Sequence, residues 1–175
     1  MNSAIRVRRA TEGDVAAIHG LLEFYADRGI VLRRTREDIL ERLANFVVAV
    51  DPADASVVGC GAVRPFGGGL YEVRSLAVLQ DRRGEGIGRA MVEFIIAAKR
   101  DSGEAVQLFT LTCEPRFFER LGFTVTDREK YPPKIWSDCR NCPRNRCCNE
   151  TALEIRIVPP QPAERQEQPS DRRGL

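Results

Sequence analysis

An α/β domain, with a mixed and mostly antiparallel central sheet flanked by helices, is predicted by three observations. Strand-like and helix-like runs follow one another in the order β-α-α-β-β-β-α-β-α-β. The strand-like runs at Phe46–Val50 and Val57–Arg64 are joined by Asp51-Pro52-Ala53-Asp54, a turn composition that argues for antiparallel pairing. A glycine-rich turn, Arg83-Gly84-Glu85-Gly86-Ile87-Gly88, separates the run Glu72–Val78 from a helix, as in a strand–helix–strand crossover.

Each element has a local reason. Ile5 to Arg9 reads as a first strand. Thr11-Glu12-Gly13-Asp14 has capping-box spacing, with Asp in place of the usual Glu or Gln. The helix it opens carries Val15, Ile18, Leu22 and Tyr25 on one face, and Gly29 stops it. Thr35-Arg36-Glu37-Asp38 starts a second helix, with Ile39, Leu43 and Phe46 at helical spacing. Gly67-Gly68-Gly69 predicts a flexible connection to the strand holding Glu72. After the glycine-rich turn, Ile87, Met91, Phe94, Ile95 and Ala98 recur along one helical face. Ala105–Thr112 reads as a buried strand, and Pro115 suits the first turn of a short helix. Thr124–Asp127 and Thr151–Val158 supply the last strands. One domain therefore covers residues 1–158, including a cysteine-rich loop at 131–150. Residues 159–175 set Pro159, Pro160, Pro162 and Pro169 among polar and charged residues, the composition of a disordered tail.

Composition narrows the class. The 175 residues, 43% of them apolar, suffice for one real core. Balance between 27 basic and 25 acidic residues favours neither nucleic acid nor membrane as partner. No run has the length of a transmembrane helix, and the start lacks the apolar stretch of a signal peptide. Six cysteines without such a signal argue for a reducing, cytoplasmic compartment.

The glycine-rich turn carries the first chemical signal. A turn between strand and helix leaves backbone N–H groups unpaired at the positive end of the helix, which suits a phosphate or pyrophosphate. Its glycines allow close approach of an anion, and Arg82, Arg83 and Arg89 add cations. Glycines at 84, 86 and 88 do not follow the dinucleotide pattern, and no G-x-x-x-x-G-K-[ST] run exists in the chain. A turn that merely connects strand to helix is the plain alternative. Arg-x-x-Gly-x-Gly after an apolar strand resembles the acetyl-coenzyme A signature of the GNAT acetyltransferases. Phe117-Phe118-Glu119-Arg120-Leu121-Gly122-Phe123 resembles that family's late helix and turn. The resemblance covers about residues 5 to 127 and implies the GNAT fold. It also implies acetyl-CoA as co-substrate, held by Leu76, Ala77, Val78, Arg83, Gly84, Glu85, Gly86, Ile87, Gly88 and Arg89.

Further stretches are similar to one branch of that family. Leu32-Arg33-Arg34-Thr35-Arg36-Glu37 followed by Phe46-Val47-Val48-Ala49 resembles the acetyltransferase domain of bacterial N-acetylglutamate synthases. So do Val58-Gly59-Cys60-Gly61-Ala62 and Leu108-Phe109-Thr110-Leu111-Thr112. The segment Tyr131-Pro132-Pro133-Lys134-Ile135-Trp136-Ser137-Asp138-Cys139 is similar to the tail of single-domain amino-acid acetyltransferases. The likeness implies acetyl transfer to the α-amine of a small acidic amino acid, most simply L-glutamate, the first step of arginine biosynthesis. Glu72 matches the glutamate before the Ala-Val strand end and is the candidate general base; a salt-bridged strand-end carboxylate is the alternative. Arg34 is carried over as a carboxylate clamp. Arg74, two residues beyond Glu72, shares its strand face and could be a second. The family's usual tyrosine acid is replaced by Phe118, with Tyr131 and Tyr71 as possible substitutes, and no general acid is assigned. Partners are then acetyl-CoA and an amino-acid acceptor, with a homodimer allowed. An acceptor of another kind, such as a protein terminus or polyamine, and a non-catalytic acetyl-CoA sensor are the competing readings.

Cys139, Cys142, Cys147 and Cys148 place four thiols within ten residues. A C-x2-C pair is half of a zinc knuckle, but adjacent cysteines make an irregular second half, so structural zinc competes with redox-active or plain loop thiols. Lys134 and Trp136, in the same loop, could wall the acceptor pocket. Cys60 and Cys113 read as buried small side chains.

Overall fold

Strands β1 (Arg6–Arg9), β2 (Phe46–Val50), β3 (Val57–Gly67), β4 (Leu70–Val78), β5 (Val106–Thr112), β6 (Thr124–Thr126) and β7 (Thr151–Ile157) form one sheet in the computed structural model. The structure describes residues 5–140, 142 and 148–159, the Trp136 side chain apart. The spatial order is β1-β2-β3-β4-β5-β7-β6, and every pairing is antiparallel except that of β4 with β5. The helices are α1 (Val15–Ala26), α2 (Arg36–Glu41), α3 (Ile87–Asp101), α4 (Pro115–Glu119) and α5 (Pro132–Lys134), the last running into a π turn at Ile135–Cys139. No helix among the described residues is long and apolar enough to cross a membrane. The mixed, mostly antiparallel sheet flanked by helices is the architecture the sequence predicts.

Alternating side chains divide the core between the two sheet faces. Val47, Ala49, Val63 and Val73 point to α3 and α4, where Ile87, Met91, Ile95 and Phe118 are buried. Val48, Val50, Cys60 and Ala62 point to the opposite face, where Ile18, Leu22, Tyr25 and Ile39 of α1 and α2 cover them. Further along this second face, Phe109 stacks on Tyr131 with ring centroids 4.0 Å apart. The expected capping box forms: Asp14 Oδ2 accepts from the Thr11 N–H at 2.7 Å. Asp14 also pairs with Arg8, and that hydrogen bond holds its carboxyl down at about 2.

Three expectations need correction. Gly67-Gly68-Gly69 is not a loose connection. Gly67 already pairs with Leu70 across a tight hairpin, with Gly68 at φ 58° and Gly69 at φ 78°. Positive φ at both central residues matches the right-handed twist of the strands, which glycine allows without strain. The second helix ends at Glu41, so Leu43 lies in a separate 3-10 turn. The segment at 131–150 is helical over Pro132–Cys139 and not a loop there, because Pro132 opens a helix at a position where its missing N–H is harmless. The tail beyond 159 lies outside the described residues.

Two irregularities position the site. The strand β3 carries an extra residue between Pro65 and Gly67, which sets Arg64 opposite Glu72. The strand β4 carries an extra residue between Arg74 and Ala77, and Ser75 there has φ 52°. Such a bulge switches side-chain parity. Glu72, Arg74 and Ala77 therefore face α1 and α2, whereas Val73, Leu76 and Val78 face α3. The parallel contact of β4 with β5 spans only Leu70–Glu72 against Gln107–Phe109. Beyond Glu72 the two strands have no ladder between them, and the sheet opens on the side of the glycine-rich turn.

Candidate active site

The glycine-rich turn has the form its sequence predicts. Gly84 and Gly86 hold φ 88° and 80°, and Gly86 caps α3 in the left-handed region. The first intrahelical bond runs from the Ala90 N–H to the Gly86 carbonyl at 2.9 Å, so Ile87, Gly88 and Arg89 precede the ladder. A Cβ on Gly84 or Gly86 would meet nothing within 4 Å, so these glycines answer backbone conformation and leave open space. Gly88 differs, since its Cβ would lie 3.4 Å from Phe117 of α4. The arginines divide the work. Arg82 braces the turn, 2.8 Å from both Glu85 and Asp51. Arg89 pairs with Glu93. Arg83 is exposed and makes no ion pair among the described residues. Orphan amides at a fifteen-residue helix, glycines that open the backbone and a cation left for solvent suit an anionic diphosphate. The end of β4 leads into this turn, and Leu76, Ala77 and Val78 lie along it. Beside that exit, a cleft of about 830 Å³ separates Gly20, Phe24 and Tyr25 of α1 from Leu79, Gln80 and Asp81.

Glu72 lies where β4 and β5 part. Its side chain is 3% exposed, and Oε1 accepts an ion pair from Lys134 Nζ at 2.7 Å. Oε2 is buried without a hydrogen-bond partner, 3.5 Å from Arg74 Nη1. Asp138 completes the cluster. Lys134 Nζ reaches it at 3.0 Å, Arg74 Nη1 at 2.8 Å and Arg64 Nη1 at 2.9 Å. Burial pushes the Glu72 carboxyl above its ordinary range, while Lys134 and Arg64 oppose that rise. Burial alone would lower the Lys134 ammonium, but Glu72 and Asp138 outweigh it and leave the group raised. Burial likewise disfavours the Asp138 carboxylate, and Lys134 and Arg64 reverse the effect, leaving it below its ordinary value. Three cations thus face two carboxylates, an excess of one positive charge.

The remaining candidates are dispersed over both faces of the sheet. Arg34 stands before Thr35, the N-cap of α2, and pairs with Asp38 at 3.3 Å. It shares the Glu72 face of the sheet through α2, but no ion pair among the described residues joins it to the cluster. Tyr131 lies on Phe109, the register partner of Glu72, and donates its hydroxyl to Glu154. Burial raises its pKa. Tyr71 packs toward α3 under the Lys99 ammonium, on the face away from Glu72. Phe118 is buried among Phe117 and Phe123 and has no proton to give.

The zinc reading gains no support. Among the described residues, no group of three or more His, Cys, Asp or Glu side chains could hold a metal ion. Cys147 lies outside those residues. Cys139 is buried in the π turn, and the Cys148 Sγ contacts Glu150 at 3.6 Å. Cys60 is buried, its thiol pushed up to about 12, but Cys113 is exposed, contrary to expectation. Sequence reasoning also missed Arg64 and Asp138. Spacing alone signals Asp138, because it lies four residues after Lys134 on one helical face. Nothing local signals Arg64, whose place depends on the bulge in β3.

Comparison with known proteins agrees with the geometry. Residues 42–125 match the acetyltransferase (GNAT) domain. An uncharacterised N-acetyltransferase of Chlorobaculum tepidum is 41% identical over 147 residues, covering 84% of this chain and 93% of that protein. The amino-acid acetyltransferase of Mycobacterium tuberculosis is 36% identical over 77% of this chain and 78% of its own length. The Neisseria gonorrhoeae N-acetylglutamate synthase, solved with coenzyme A and N-acetyl-glutamate, superposes with TM-score 0.77 at 25% identity. That match covers 90% of this chain but only 36% of the synthase. This chain therefore belongs to the GNAT family and is an acetyl-CoA-dependent N-acetyltransferase.

Proposed function

We propose that the enzyme acetylates the α-amine of a small acidic amino acid, L-glutamate first among the candidates, with Glu72 as general base. The observation that carries this reading is the buried Oε2 of Glu72, which has no hydrogen-bond donor and lies in a cluster with one positive charge in excess. An ammonium or amine supplies the missing donor, and a carboxylate on the same molecule answers the excess cation. A polyamine would bring further positive charge and is disfavoured.

The reaction follows from ordinary amine chemistry. An α-amino group with a pKa near ~8 is mostly protonated at neutral pH. Glu72 takes a proton from it, directly or through one water. The nitrogen lone pair attacks the thioester carbonyl, the N–C bond forms, the nitrogen gives up its second proton to solvent, and the C–S bond breaks as coenzyme A leaves. A thiol with a reference pKa near ~8.5 can depart as thiolate and collect its proton from solvent. Glycine-rich turn and strand end hold the coenzyme through Leu76–Val78 and Arg83–Arg89, in this reading. Arg34 grips an acceptor carboxylate, and Arg74, whose Nη1 is engaged by Asp138, contributes charge beside it. The relatives support the substrate class: those of Mycobacterium tuberculosis and Escherichia coli are amino-acid acetyltransferases. This chain matches 30% of the length of the Escherichia coli protein.

Thiol release from acetyl-CoA across an amino-acid and polyamine panel tests the proposal. Turnover with glutamate, and a KM for glutamate raised about tenfold or more in R34A at unchanged acetyl-CoA KM, is the expected result. Preference for spermidine or lysine would overturn the acceptor class.

A further inference from the structure

Lys134 comes from a segment far from the glycine-rich turn in sequence, and its place is unusual for a lysine. Its side chain is 7% exposed and its ammonium lies between two carboxylates, Glu72 at 2.7 Å and Asp138 at 3.0 Å. Lysine is rarely buried unless paired. Here the pair is itself anchored, because Asp138 accepts from Arg64 and Arg74 of the neighbouring strands. The short helix α5 and its π turn bring Lys134 and Asp138 to one side, four residues apart. Tyr131, at the start of the same segment, stacks on Phe109 and fixes the segment to β5. The segment is therefore anchored to β3, β4 and β5, the strands around Glu72.

We propose that Lys134 is a positioning residue for Glu72, held by Asp138, and that residues 131–139 are part of the catalytic apparatus. This inference rests on the reading of Glu72 as base. Lys134 occupies Oε1 and leaves Oε2 as the one acceptor site for the amine proton. It also opposes the burial that favours the neutral carboxyl, and a base must be ionised before proton transfer. The charged groups facing Glu72 are Lys134 from α5, Asp138 from the π turn, Arg74 from β4 and Arg64 from β3. Removing the Lys134 charge leaves burial less opposed, so the Glu72 titration moves to higher pH. Removing the Asp138 charge deletes a neighbouring anion, so the titration moves to lower pH. A role confined to stability leaves the acid limb of kcat/KM where it is.

The experiment follows Glu72 in two ways in K134M, K134R and D138N. One is the acid limb of kcat/KM for the acceptor. The other is the ¹³C carboxyl resonance of Glu72, assigned by its loss in E72Q. K134M is expected to move both upward by about one unit or more. On the acid limb, kcat/KM then falls about tenfold per unit. K134R restores most of the wild-type position, and D138N shifts the limb in the opposite sense. The acetyl-CoA KM stays within about twofold. An unmoved resonance in K134M, or shifts of one sign in K134M and D138N, would overturn the proposal. E72Q itself separates the two readings: full activity there removes the base assignment, whatever Lys134 does to the resonance. If K134M does not fold, K134R and D138N still decide, since the inference requires them to leave Glu72 near its wild-type titration and below it, respectively.

Discussion

Glu72 is a strand residue that the sheet buries almost completely, and its chemistry follows from that placement. A carboxylate removed from water favours its neutral form unless a cation or donor compensates. Lys134 compensates on one oxygen, while the other remains without a hydrogen bond. E72Q keeps the size and removes the basicity. Its kcat should fall by ~10²–10⁴-fold, the usual contribution of a general base, with acetyl-CoA affinity unchanged. The sign of the pH effect is fixed by burial. The folded pKa is raised above 4.5, so the reactive carboxylate is lost as pH falls through that raised value. The acid limb of kcat/KM should therefore lie above the range of an exposed glutamate. A limb at or below 4.5, or kcat preserved in E72Q, would remove Glu72 from the chemistry.

At the scale of elements, turns and bulges decide what the side chains can reach. The hairpin between β3 and β4 is a sharp example. A Cβ on Gly69 would lie 2.6 Å from the Ala105 carbonyl oxygen, whereas one on Gly68 would meet nothing within 4 Å. Both have positive φ, so both alanine variants pay the left-handed penalty, about 1–2 kcal/mol. Only G69A adds a backbone clash. It should be the less stable variant in chemical denaturation, and it should disturb acceptor KM because Arg64 and Glu72 lie just beyond the turn. Equal stabilities would contradict the turn geometry. Element existence was legible in the sequence: the caps at Thr11 and Thr35, Pro115 and the periodicity of α3 all lie where patterning puts them. Register was not. A straight count back from the hairpin pairs Pro65 with Glu72, and the extra residue in β3 puts Arg64 there instead. The helical form of Pro132–Cys139 was hidden by its two prolines and by the cysteine run that starts at Cys139, which suggest a loop when read alone.

Across the whole molecule, the sheet is one surface made of two antiparallel blocks, and only a short parallel ladder joins them at Leu70–Glu72 and Gln107–Phe109. The blocks share the core beneath α3, where Val73, Leu108 and Leu153 are buried together. In the proposed reaction, that arrangement lets the glycine-rich turn and the Lys134 segment, distant in sequence, serve one site. The turn follows β4 on its far side, and the segment covers the seam where β4 and β5 part. The form of the glycine-rich turn was readable because its signal is local: glycines, a strand before and a helix after. The charge cluster was only half readable, because it is assembled from β3, β4 and α5 by long-range packing. A ligand lying in the seam would join the blocks more tightly than the protein does alone. Coenzyme A at 100 times its Kd should stabilise the fold by about 2.7 kcal/mol. Hydrogen exchange should slow most at Val73–Val78, at Thr110–Thr112 and at the amides of Gly84–Arg89, with β1 and β2 little changed. G86A, which strains φ 80° without meeting any atom, should weaken both effects together. Protection confined to the cleft beside α1 would place the coenzyme there and not in the seam.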